Sequence, residues 1–543
     1  MAQQSIEVLV VGAGFSGLYA LIRMRELGFD AVAADAGGDV GGTWYWNRYP
    51  GARVDTESVD YSFSFSAELQ QEWTWTERYA AQPEILAYLR HVATRFALWP
   101  HIHLNTRIEA LRYDDARERW DVTSTDGRRW SAKYCILATG FLSAPLRPRF
   151  EGLQDYRGTV LRSTEWPTED VDFAGRSVGI VGTGSTGVQM FPIIARKAGR
   201  TYLFQRTPCF TVPLRNVPLE PEFQAAVKAD YANWRARQRR SSIGANAVGS
   251  AAAPEPIAES ATAVTDAERL AVYDECWERG GINGYYLSFA DLGSNQASND
   301  TLADYIKGKI RERVGDPELA ERLTPDYPIM AKRLCADTDY YESFALDTVT
   351  LVDVAGRELR FTPTGVVVGG ERFDLDIVVF ATGFDAVTGA VTRIDICGRG
   401  GRKLNEHWAE AVRTTAGIMA TGFPNLFWLN GPGSPAADAN PPLMAEDQMQ
   451  VIGNLIVSAE AAGRSVEGTP EMDDEWLALC DALFAESLLP KAKSWYNGGN
   501  VESKSSRGML YLGGPVTYLE LLQEHEKKLL AIISEEESRE CSA

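Results

Sequence analysis

In IEVLVV, residues 6–11, an apolar run of four, Val8 to Val11, follows Ile6 and Glu7 and stops at Gly12, and this predicts a buried strand. From Phe15 to Leu27 the apolar positions recur at helical spacing, with Arg23, Arg25 and Glu26 between them, which predicts an amphipathic helix. A second strand, AVAA, follows and ends at Asp35. The succession returns in RSVGIV, a glycine-rich turn, the helical VQMFPIIARKA and the strand TYLF of residues 201–204. A strand–turn–helix–strand unit that occurs twice predicts an α/β protein.

The turns carry the first chemistry. Gly12-x-Gly14-x-x-Gly17 recurs 170 positions later as Gly182-x-Gly184-x-x-Gly187. A tight turn, close backbone approach to a pyrophosphate and helix-to-strand packing each require a residue without a side chain. The helix N-terminus then offers free amides and a positive dipole end to the phosphates. Asp35, 23 positions after Gly12, is placed to accept from ribose hydroxyls. The second copy ends instead on Gln205, Arg206 and Thr207. A carboxylate there would repel a 2′-phosphate, whereas an arginine grips it through charge-assisted hydrogen bonds. The acid predicts FAD at the first unit, and Arg206 with Thr207 predicts NADPH at the second. Two apolar strands ending in Ala-Thr-Gly, at Thr139-Gly140 and Thr382-Gly383, let the backbone cross under each nucleotide.

At 543 residues the chain exceeds one core, so two or three packed domains are expected. Lys and Arg total 54 against 74 Asp and Glu, and the net charge of −20 argues against nucleic acid or an anionic membrane as partner. The N-terminus has no signal-peptide pattern and no apolar window reaches membrane-spanning length. The seven cysteines are scattered without a CxxC, so neither a disulfide framework nor a redox dithiol is expected and a cytoplasmic setting fits. Among the five histidines no metal-ligand spacing occurs; His101 and His103 alternate as on a strand and read as structural. No Gly-x-Ser-x-Gly elbow or Walker loop supports a hydrolase or kinase.

Longer motifs add a resemblance. GGTWYWNRYPGARVD (41–55), GTGSTG, FQRTP, AKRL (331–334), DYYESF, ATGFDA (381–386) and KSWYNGGN (493–500) resemble segments of the type I Baeyer–Villiger monooxygenases, from the first strand to the last helix. The resemblance implies two Rossmann-like dinucleotide-binding domains, for FAD and NADPH, with a helical insertion. Residues 1–145 and 384–543 would form the FAD domain, 146–211 and 328–383 the NADPH domain, and 212–327 the insertion. Around FAD it implies Gly12, Gly14, Phe15, Ser16 and Gly17, with Gly42, Thr43, Trp44, Tyr45 and Trp46 wrapping the flavin beside Tyr61. Arg53, Val54, Asp55, Thr56 and Ile108 add further cofactor contacts. Around NADPH it implies Gly182, Thr183, Gly184, Ser185, Thr186, Gly187, Val188 and Gln189. Lys332 would share the 2′-phosphate with Arg206, and Trp495 would close over the nucleotide.

The activity so implied converts ketones to esters or lactones, using NADPH and dioxygen through a flavin-peroxide anion. The partners are a small-molecule ketone and dioxygen, and the chain is expected to be a monomer. Arg333 resembles the family's active-site arginine and Asp55 the carboxylate that positions it. A guanidinium so held stabilises negative charge on the adduct that forms at the carbonyl.

Where the family carries FxGxxxHxxxW, this chain reads Tyr156-x-Gly158-x-x-x-Arg162-x-x-x-Trp166-Pro167. Arg162 can only donate, so it is expected to tether the two domains by reaching a carboxylate or a backbone carbonyl. GPGSPAADANPP (431–442) resembles the pocket loop; Ala436 and Ala437 leave room, and Asp438 is expected to point outward. Gly284 and Tyr286 are expected on the other wall. The Ala-, Ser-, Gly- and Pro-rich stretch 241–264 reads as a mobile surface linker. Two other functions stay open. One is a flavin monooxygenase oxidising nitrogen or sulfur, whose fingerprint typically lacks Trp166-Pro167. The other is a non-catalytic dinucleotide sensor, to which Arg162 points.

Overall fold

The computed structural model describes residues 3–246, 255–501, 504 and 506–540. The first repeat folds as β1 (Gln4–Val11), α1 (Phe15–Glu26) and β2 (Ala31–Ala34). β1 pairs in parallel with β2, Val8 opposite Ala31, and on its other side with the strand Arg129–Leu137. Val8, Leu9 and Val10 have no exposed surface. Each such side chain stabilises the fold by about 1.5–3 kcal/mol relative to solvent exposure. An unbroken apolar run is what a strand covered on both faces requires.

The second repeat folds as β3 (Ser177–Val181), α2 (Ser185–Ala195) and β4 (Arg200–Gln205). β3 lies between β4 and the strand Ile377–Phe380, all parallel. The sheet is completed by Val349–Asp353 at one edge and Thr159–Arg162 at the other. The sheet around β1 draws its strands from residues 4–137 and again from 395–428, so the chain leaves one sheet, builds the other and returns. The two parallel-sheet, Rossmann-like units agree with the expected α/β class. Between Pro221 and Leu323 the described chain is mostly helical, including Asp266–Arg279 and Gln296–Val314.

Two sequence expectations need correction. His101 ends a short helical turn, Trp99–His101, and only His103 belongs to a strand. His103 matters through its backbone, whose carbonyl accepts from the Asp35 amide at 2.9 Å. Of the stretch read as a linker, residues 247–254 lie outside the described residues, but the part before them is anchored. Asn246 donates its backbone N–H to Asp60 Oδ2 at 2.5 Å and its side-chain amide to Oδ1 at 3.0 Å. Asp60 has no exposed surface, and its burial beside Glu57 pushes its carboxyl up to about 6. That segment closes over a buried acid.

Candidate functional site

The two fingerprints are built alike. Gly12 has φ +112°, and a Cβ on it would sit 2.4 Å from the Ala138 carbonyl oxygen. Gly182 has φ +117°, and its Cβ would sit 2.4 Å from the Ala381 carbonyl oxygen. Each Ala-Thr-Gly strand end therefore passes directly against a fingerprint glycine, and only glycine fits. α1 and α2 both start on an extended glycine, Gly14 and Gly184, with no side-chain cap and no acid in the first turn. Helix N-termini left uncapped in this way have free amides for a pyrophosphate. The residues present fit a dinucleotide at both places.

The strands following the helices end differently. Asp35 accepts from the Ala13 amide at 2.6 Å through one oxygen and from the Gly37 amide at 2.6 Å through the other. Burial raises its pKa, and those two amides oppose the rise. The carboxylate thus also braces the glycine turn, with one lone pair on each oxygen left for a ribose. At the second site Arg206 is exposed and has no ion-pair partner among the described residues. Lys332 lies near enough for Arg206 to depress its pKa, after burial itself, and rests on the Tyr327 ring at 4.6 Å. Two cations near each other suit a dianionic phosphate. Thr183 Oγ1 donates to the Thr207 carbonyl at 2.7 Å, tying the glycine turn to this strand end.

Between the two sites stands an ion pair. Arg333 donates from Nη2 to Asp55 Oδ1 at 3.0 Å and from Nε to Oδ2 at 3.2 Å. Burial opposes its charge, but Asp55, Tyr496 and Tyr286 outweigh burial and hold the guanidinium well above its usual pKa. Asp438 corrects the outward expectation: it hydrogen-bonds Tyr496 and faces Arg333. Burial pushes its carboxyl up to about 6, against the pull of Arg333. Tyr286 also faces Arg333 and Asp438. Ala436 is fully buried, and the Ala437 side chain lies outside the described ones. Tyr496 and Asp438 were missed as site residues, although Tyr496 adjoins Trp495 in KSWYNGGN.

The remaining expected residues divide. Trp44 donates to the Tyr61 hydroxyl at 3.2 Å, and Tyr61 packs edge-on against Phe15, so these three form one wall. Tyr45 and Trp46 pack edge to face, Thr43 opens their short helix, and Gly42 precedes it at φ +52°. Ser16 accepts from Asn430 at 3.0 Å, and Ile108 is buried at the start of its strand. Trp495 stacks on Tyr496 at 4.2 Å between centroids. Arg53, however, is held by Glu77 at 2.8 Å and by the Tyr79 carbonyl at 3.0 Å. Gln189 of α2 donates to the Arg53 carbonyl at 3.1 Å and accepts from Tyr49 at 2.8 Å. Gln189 therefore ties α2 of the second unit to the segment that follows the first. Val54 is buried, its amide bonded to the Ala80 carbonyl at 3.2 Å, and Thr56 follows Asp55 partly exposed. Thr186 bonds the Tyr49 hydroxyl, and Val188 is core. Arg162 reaches no carboxylate or carbonyl among the described residues; it lies over the Phe380 ring at 5.7 Å.

Two nucleotide cradles, one ending in an acid and one in cations, with a guanidinium–carboxylate pair between them, define a flavin- and nicotinamide-dependent oxidoreductase. A family model described as pyridine nucleotide-disulphide oxidoreductase matches residues 9–234. A Baeyer–Villiger monooxygenase of Pseudooceanicola batsensis is 40% identical over 520 residues, 94% of this chain and 93% of the relative. A phenazine N-monooxygenase of Lysobacter antibioticus is 38% identical over 523 residues, 95% of each chain. The structure of an oxidized steroid monooxygenase bound to NADP matches with TM-score 0.91 at 43% identity, over 97% of this chain and 98% of that one. The chain belongs to the Baeyer–Villiger monooxygenase family, with FAD and NADPH as its cofactors. Among the described residues no helix is long and apolar enough to cross a membrane.

Proposed function

We propose that this chain inserts one atom of dioxygen beside the carbonyl of a ketone, giving an ester or lactone. The observation that carries this reading is the two-point contact of Arg333 with Asp55, set between the fingerprints. The bound flavin would supply the activated oxygen, and NADPH the electrons. The chain's part is to hold both nucleotides, exclude water and stabilise negative charge on the carbonyl oxygen. Arg333, fixed in orientation by Asp55, is the group for that charge. Arg206 and Lys332 would take the 2′-phosphate, and Asp35 the flavin nucleotide's ribose. Trp44, Tyr61 and Phe15 would pack beside the flavin.

The substrate meets a polar wall as well as an apolar one. Asp438, Tyr496 and Tyr286 face Arg333, so a ketone with a polar substituent fits better than a plain hydrocarbon ring. The same acidic wall supports a second reading, oxidation of a ring nitrogen, which the phenazine N-monooxygenase relative also suggests. The test is ketone- or heterocycle-dependent NADPH oxidation over one panel, with products analysed by mass spectrometry. Ester or lactone products support the first reading. N-oxides without esters support the second, and neither product, with NADPH still reducing the flavin, refutes both.

A further inference from the structure

Two cysteines 126 positions apart in sequence meet beside the second fingerprint. Cys209 Sγ lies 3.2 Å from Cys335 Sγ. The contact is set by backbone pairing: Thr211–Pro213 runs parallel to Cys335–Asp337, and the Cys335 amide donates to the Phe210 carbonyl at 3.1 Å. Cys335 Sγ also touches Ser185 Oγ, at 3.2 Å, on the first residue of α2. Two residues before Cys335 stands Arg333, and before that Lys332. Cys209 is half-buried and Cys335 is 2% exposed. No other pair of thiols is in contact among the described residues. The spacing of the seven cysteines carries no sign of this pair.

We propose that Cys209 and Cys335 are an oxidisable pair that hydrogen peroxide closes to a disulfide, and that closure weakens NADPH binding at the second fingerprint. The second half rests on the reading of Ser185, Arg206 and Lys332 as the NADPH site. The oxidant is at hand: NADPH oxidised by dioxygen without oxygen transfer to substrate yields peroxide.

Cys209 is the sulfur to react first, because it is the more accessible. The hydrogen bond from Cys335 lowers its pKa, burial opposes this, and Tyr327 and the Lys332 cation add to the lowering; Cys335 is held well above the usual thiol range. The Cys209 thiolate attacks one peroxide oxygen; the O–O bond breaks, water leaves with one added proton, and a sulfenic acid remains. The Cys335 sulfur then attacks the Cys209 sulfur. The S–S bond forms, the S–O bond breaks, and the thiol proton leaves with hydroxide as a second water. Peroxide gains the two electrons that the pair loses.

A disulfide is about 2.05 Å long, so the sulfurs must approach by roughly 1.2 Å. That movement pulls Cys335 from Ser185 and shifts the segment carrying Lys332 and Arg333.

The test treats FAD-loaded protein, free of nicotinamide, with hydrogen peroxide, alkylates it under denaturing conditions and maps its peptides. The expected result is a cross-linked peptide joining 209 to 335, reversed by dithiothreitol. The KM for NADPH in flavin reduction should rise about tenfold, the worth of one phosphate contact. Cys209→Ser and Cys335→Ala should each abolish both the cross-link and the peroxide-induced rise. Cys209 is half-buried, so its variant keeps the test valid if Cys335→Ala does not fold. Absence of the cross-link, or an equal rise in KM in Cys209→Ser, overturns the proposal. A cross-link without a change in KM overturns its second half. If Arg206→Ala also leaves the KM for NADPH unchanged, the failure belongs to the location of the NADPH site.

Discussion

Arg333 and Asp55, 278 residues apart, are locked in a two-point contact, Nη2 to Oδ1 at 3.0 Å and Nε to Oδ2 at 3.2 Å. Asp55 stands just after the aromatic segment beside the first fingerprint, and Arg333 two residues before Cys335, whose sulfur touches α2 of the second. The pair therefore joins the two nucleotide sites and fixes the plane of the guanidinium. A planar fork held at two points is oriented in a way a lysine ammonium is not.

Replacing Arg333 by Ala should leave FAD bound and abolish oxygenated product, while NADPH is consumed slowly and peroxide accumulates. Asp55→Ala should weaken the same step less completely, because Asp55 orients Arg333. Product yield and peroxide are measured together under single additions of NADPH. Normal product from the Arg333 variant would refute the assignment.

Arg206→Ala should raise the KM for NADPH far more than that for NADH. Losing one charge-assisted contact costs about 1.5–3 kcal/mol, or very roughly tenfold to more than a hundredfold. Lys332→Ala should act in the same direction, since Lys332 lies near enough to Arg206 to feel its charge. Stopped-flow flavin reduction with the two nucleotides decides the matter, and equal effects on both would remove the phosphate-selecting role.

The two predictions differ in how far the sequence already held them. The fingerprints are local: the spacing of Gly12, Gly14 and Gly17, and of Gly182, Gly184 and Gly187, requires no tertiary information. Arg206 was legible because the corresponding strand end of the first repeat carries an acid, Asp35. The partnership of Arg333 with Asp55 entered through resemblance, as nothing local links positions so distant. Asp438 was misplaced because a loop residue's direction depends on the chains packed around it, here Tyr496 and Tyr286. The Cys209–Cys335 contact was invisible for the same reason: a parallel pairing of two short strands creates it. Arg162 was expected to reach an acceptor, but strand pairing sets Phe380 directly opposite it.

That placement makes Arg162 a packing residue. Arg162→His should retain FAD, NADPH binding and oxygenation, with rate changes of modest size through domain motion. Arg162 is half-buried over the buried Phe380 ring, and such a contact is worth about 0.5–2 kcal/mol, so the melting temperature should fall modestly. If the natural protein is reduced by NADPH yet oxygenates nothing, while Arg162→His restores product, the sensor reading is correct.

Asp438 ties stability to pH in a definite direction. Its carboxyl is pushed up to about 6 in the folded protein, mainly by burial. In the unfolded chain it returns to about 3.9. The folded state therefore binds the proton more tightly, and the stability this gives is fully present below about pH 4 and lost as pH rises through about 6. A two-unit shift corresponds to about 3 kcal/mol at most. Asp438→Asn cannot ionise, so it should be more stable than the natural protein at pH 8, by on the order of 1–3 kcal/mol, and equal to it near pH 4. The affinity for a neutral ketone should also fall as pH rises through about 6, because the ionised carboxylate competes for Arg333 and retains water. Asp438→Asn should lose that dependence. Thermal unfolding of the FAD-loaded protein and ketone KM values at pH 5 and pH 8 test both statements. A KM profile unchanged by the substitution would place Asp438 outside the substrate's reach.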